Sequence, residues 1–120
     1  MITREELISS TEYWFEYVQN DIYRIVTTFM EKENLNQTQL AQKLGVSKGY
    51  ISQILNGEFN YSLKKLIDLS ISIGHIPRVD FKLINEVIEE DKKTKVLKAE
   101  SSMIINQDLQ FIQFESKEVA

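Results

Sequence analysis

The chain has 120 residues, 42% hydrophobic and 27% charged, a balance that suits one soluble globular domain with a tail rather than a disordered or fibrous chain. It contains no cysteine, which removes disulfides, thiolate metal ligands and thiol nucleophiles. No apolar run approaches the ~20 residues that span a bilayer, and the N-terminus opens on Arg4, Glu5 and Glu6 without a hydrophobic signal core, so a cytoplasmic location is expected.

The formal net charge is −4, which argues against a nucleic-acid partner until its distribution is considered. Residues 36–82 hold six basic residues (Lys43, Lys48, Lys64, Lys65, Arg78 and Lys82) against three acids (Glu58, Asp68 and Asp80), and both flanks are net acidic. Long-range steering should therefore be weak, while local phosphate contacts stay available to the basic centre.

The N-terminal third reads as helix. Trp14, Val18, Ile22, Ile25 and Phe29 recur at helical intervals and should line one inward face. Ser9 with Glu12 three residues on resembles a capping box, which puts a short lead-in before the main helix. Asn34 to Asn36 should break that helix. Asn36 with Gln39 then caps a helix carrying Leu40, Ala41 and Leu44 inward, and Gly45 closes it in the left-handed conformation. Val46 is expected to plug the turn, and Ser47 to cap a helix whose Ile51, Ile54 and Leu55 form one buried stripe. Asn56-Gly57 ends it. Ser62 should cap a further helix with Leu63, Leu66, Ile67, Leu69 and Ile73 inside, closed by Gly74.

Pro77 stops helical continuation. Val79, Phe81 and Leu83 then alternate with Arg78, Asp80 and Lys82, the period of a half-buried strand. A lone strand needs a partner for its backbone, which makes these three apolar residues candidates for dimerisation. Glu86 to Lys98 reads as a solvated helix or linker, and Met103 to Ile105 with Leu109 to Phe114 as two short strands of a hairpin. The expected organisation is a helical bundle over 1–76 and an extension over 77–120 that serves dimerisation or partner contact.

If 51, 54 and 55 face inward, Lys48, Gly49, Ser52, Gln53 and Asn56 occupy the opposite side of the same helix. That strip offers amide, hydroxyl and ammonium groups with no acid, chemistry suited to base edges in a major groove. Gln37-Thr38-Gln39-Leu40-Ala41, the Gly45 turn, Ile51-Ser52-Gln53 and Asn56-Gly57 stand together in register. In these features the stretch from Asp21 to Gly74 resembles the phage-repressor or Cro-type (XRE) helix-turn-helix family. The resemblance implies a mainly α, lambda-repressor-like bundle that binds palindromic operators as a homodimer. Carried over position by position, it implies base-facing roles for Lys48, Gly49 and Gln53, with Ser52 beside them. It implies phosphate contact by Gln37 and a place near the backbone for Asn56; Ser47 and Tyr50 complete the phosphate-facing set. A strand after the last helix is similar to arrangements in chromosomal and plasmid-borne relatives, including some antitoxins.

No catalytic constellation stands in the sequence: there is no phosphate-cradling glycine loop, serine elbow or metal-ligand cluster. His75, the single histidine, lacks co-ligands, and Glu89, Glu90 and Asp91 lack the spacing of a calcium loop. No cofactor is expected. The function expected is sequence-specific binding of double-stranded DNA by a transcriptional regulator, a homodimeric repressor. The competing reading is an antitoxin or adaptor that uses the same scaffold to hold a partner protein such as a toxin.

Overall fold

In a computed structural model, which describes the backbone of residues 1–119 and the side chains of residues 1–103, six helices follow one another: α1 (Arg4–Ile8), α2 (Thr11–Glu33), α3 (Gln37–Leu44), α4 (Lys48–Leu55), α5 (Leu63–Ser72) and α6 (Ile84–Val119). The chain divides into two compact units, Met1–Asp80 and Phe81–Ala120.

Local polar chemistry starts each helix of the first unit. Thr3 and Glu6 form the capping box of α1, and Ser10 caps α2 by accepting from the Tyr13 N–H. The cap is thus one residue later than Ser9, whose hydroxyl instead donates to the Glu5 carbonyl at the end of α1. Asn36 and Gln39 exchange hydrogen bonds of 2.8 and 2.9 Å at the start of α3. Ser47 and Ser62 cap α4 and α5. Left-handed residues stop two of these helices, Asn34 after α2 and Gly45 after α3.

The core joins α2 to α5. Val26, Leu40, Ile51 and Ile54 are fully enclosed, with Ile22, Ala41, Phe59, Leu69 and Ile73 around them. Helix α4 packs on both α2 and α3, so the stripe formed by Ile51 and Ile54 is buried from two sides. Burial of this kind contributes on the order of 2 kcal/mol per large aliphatic side chain, far more than an eight-residue helix gains from propensity alone.

Several inward assignments shift. Helix α2 turns Gln19, Ile22 and Val26 into the core and leaves Val18 exposed. Val46 lies at the surface rather than beneath the turn, and on α5 Leu63 and Ile67 face solvent while Leu69 and Ile73 are buried. A periodic pattern establishes that an apolar face exists; the landing points of neighbouring helices decide its rotation.

The C-terminal expectations need larger correction. Residues 75–83 have no regular secondary structure, and no strand occurs among the described residues. Alternation would place Val79, Phe81 and Leu83 on one side of an extended backbone, but a strand exists only through a partner strand's hydrogen bonds, and no partner strand occurs among the described residues. The hairpin expected over Met103 to Phe114 is replaced by the backbone of α6. Asn106-Gln107-Asp108 lacks the glycine that a tight hairpin turn demands, whereas a helix satisfies its backbone locally.

Candidate nucleic-acid interface

Helix α3, the Gly45 turn and α4 form a helix-turn-helix. Gly45 has φ of 68°, and its N–H closes on the Gln42 carbonyl while Val46 reaches back to Ala41. That reversal lets α4 leave the turn already packed on α3, with Ala41, 5% exposed, on the buried side of α3.

The opposite side of α4 carries the candidate readers. Lys48, Gly49, Gln53 and Asn56 are exposed, and none is covered by another element of the first unit. Ser47 Oγ accepts from the Tyr50 N–H at 3.0 Å, which leaves its own hydroxyl hydrogen for an outside acceptor. Gly49 is not required by the interior, since a Cβ there would meet only Ser47 Oγ at 3.9 Å. Asn56 forms the C-cap of α4, its N–H donating to the Ser52 carbonyl at 3.0 Å.

Ser52 differs from its neighbours on the strip. It is half-buried, and its Oγ donates to Oε1 of Gln37 at 3.1 Å. The hydroxyl therefore braces the first residue of α3 against the middle of α4. No partner of the Gln37 Nε2 occurs among the described residues, so its two donors stay open while α3 and α4 are held in fixed register.

An aromatic group flanks the C-terminal half of α4. The Tyr61 ring packs 5.0 Å from Tyr50 and 5.1 Å from Phe59 between ring centroids, and Lys65 Nζ lies 5.0 Å from the Tyr50 ring and 4.9 Å from the Tyr61 ring. Burial, with smaller contributions from Tyr61 and Asp68, pushes the Tyr50 hydroxyl above its usual pKa, so it remains a neutral donor at physiological pH. The Tyr61 hydroxyl donates to Oε1 of Gln53, linking this group to the exposed face of α4.

Underneath, Gln19 clamps the segment that carries these rings. Its Oε1 accepts from the Phe59 N–H at 2.9 Å, and its Nε2 donates to the Phe59 carbonyl. Sequence reasoning overlooked Gln19, Phe59 and Tyr61. Signals were present: Gln19, Ile22 and Val26 share a helical face, where a polar residue implies a buried bond, and two aromatics stand between Gly57 and Ser62.

The remaining candidates lie after α5 in the chain. His75 follows α5, its Nδ1 3.1 Å from the Ile73 carbonyl. Val79, Phe81 and Leu83 are 66%, 92% and 70% exposed. No helix among the described residues is long and apolar enough to cross a membrane.

Residues 28–80 match the family model described as helix-turn-helix. No curated protein and no solved structure matches the chain. The match spans α3, its turn, α4 and α5, the same elements that carry the capped, glycine-turned geometry. Over residues 28–80 the chain is similar to the XRE/Cro-type helix-turn-helix family.

Proposed function

We propose that the protein is a transcriptional regulator that binds a specific double-stranded DNA sequence, a repressor acting as a homodimer on a palindromic operator. The observation that carries this reading is the two-sidedness of α4. Ile51 and Ile54 are fully buried, while Lys48, Gly49, Gln53 and Asn56 lie exposed with no acid among them. An exposed helix face of this size, with amide and ammonium groups on a rigid support, suits insertion into a major groove. Gln37, Ser47, Tyr50 and Asn56 supply donors around its rim for phosphate oxygens, which set register without carrying sequence information.

Dimerisation rests on the apolar residues after α5. Ile76, Val79, Phe81 and Leu83 are each at least 66% exposed, an unfavourable state for a segment of eight residues unless a second copy covers it. A palindromic operator would then present one half-site to each α4.

Selection from random DNA duplexes, repeated at two salt concentrations, tests the reading. An enriched palindrome whose affinity falls steeply with salt supports it. Replacement of Lys48 and Gln53 by alanine should then weaken specific binding by about 1–3 kcal/mol per lost base contact, with the fold intact. No enrichment, together with a stable complex with a partner protein, would instead favour the adaptor or antitoxin.

A further inference from the structure

We infer that Tyr61 is a positioning residue that sets the specificity of Gln53, so that Gln53 reads a base edge rich in acceptors, the N7 and O6 of guanine. The inference rests on the proposed reading by α4 and adds which way its central amide is turned.

A glutamine side chain in solvent rotates freely, and its two ends offer opposite chemistry, an oxygen that accepts and an NH2 that donates. Gln53 is exposed on α4, so packing does not fix its roll. The Tyr61 hydroxyl does: it donates to Oε1, which draws the oxygen toward the segment before α5. Nε2 has no hydrogen-bond partner among the described residues, and with one lone pair of Oε1 engaged and the oxygen drawn toward Tyr61 it is the end of the amide turned to meet a ligand. Bidentate pairing with adenine needs both amide ends turned to the base, whereas guanine presents two acceptors to a donor.

The phenol can act in this way because its ring is packed against its neighbours. Its ring is wedged against Tyr50 and Phe59 and covered by Lys65 Nζ, and the backbone of Phe59 is held on both its N–H and its C=O by the buried amide of Gln19. A line of contacts thus runs from the core of α2 to the reading face of α4. Ordering Gln53 before binding also removes part of the rotamer entropy that an exposed glutamine would lose on the duplex.

The test compares wild type, Tyr61→Phe and Gln53→Ala by selection from random duplexes, followed by affinity measurements on the selected operator with each base pair at every position. Gln53→Ala identifies the position that Gln53 reads. The expected result is a G·C pair there in the wild type, preferred about tenfold or more over A·T, and a preference reduced to less than about threefold in Tyr61→Phe with all other positions unchanged. Phenylalanine keeps the ring packing, and an unchanged thermal midpoint separates lost positioning from lost folding. Adenine at that position in the wild type, or an unaltered profile in Tyr61→Phe, overturns the inference while leaving DNA reading by α4 in place. Absence of any enriched sequence for the wild type defeats the underlying reading, and this inference with it.

Discussion

The side chain of Gln19 hydrogen-bonds both backbone groups of Phe59, 40 residues further along the chain, inside a largely apolar core. An amide is the one uncharged side chain able to present a donor and an acceptor side by side, so it substitutes for the strand or helix partner that the irregular segment after α4 lacks. Replacing Gln19 by alanine leaves a buried N–H and a buried C=O unpaired. The expected loss is about 2–4 kcal/mol, measurable as a lower urea midpoint. A loss below about 0.5 kcal/mol would mean that the segment repacks and that the clamp is dispensable.

Two glycines of the motif should respond in opposite directions. Gly45 sits at φ of 68°, where an L side chain is strained, so Gly45→Ala should cost about 1 kcal/mol. Gly49 lies inside α4 with open space around it, so Gly49→Ala should stabilise the free protein by about 0.5–1 kcal/mol. Thermal unfolding reads both. If the stabilised Gly49→Ala variant also binds its operator less tightly, the missing side chain serves close approach to DNA rather than folding.

Gln37→Ala should lower affinity for every duplex alike, by about tenfold, because a phosphate contact carries no base information. Ser52→Ala breaks the 3.1 Å brace to Gln37 and should reproduce a fraction of that loss. A change in the selected base sequence with Gln37→Ala would assign this residue to base reading instead.

Phe81 is 92% exposed, and its replacement by glutamate should shift a dimer toward monomer without unfolding α2 to α5. Sedimentation velocity at micromolar concentration reads the shift. A wild-type protein that sediments only as monomer would sink the dimer, and the exposed apolar residues would then need another partner.

Much of the helix-turn-helix was legible from the residues themselves because its signals are local. Asn36, Ser47 and Ser62 each cap a backbone N–H three residues ahead, and Gly45 supplies a conformation that other residues resist. The spacing of Ile51 and Ile54 set the buried side of α4 and, by exclusion, its polar side. Adjacent serines are harder: either Ser9 or Ser10 satisfies the cap pattern, and only the end of α1 selects Ser10.

What sequence spacing could not settle was every feature that depends on a distant neighbour. The residues of α2 announce an apolar face, but the arrival of Phe59 beneath Gln19 turns that helix so that Val18 is exposed and a glutamine is buried. Tyr61 gains its hold on Gln53 only because the segment between α4 and α5 folds back over α4. The alternating residues before α6 describe a strand in side-chain terms, yet a strand is a relationship between two backbones. Caps, turns and helix faces are decided within a few bonds of the residue concerned. Rotation, bracing and pairing are decided by what arrives from elsewhere in the fold.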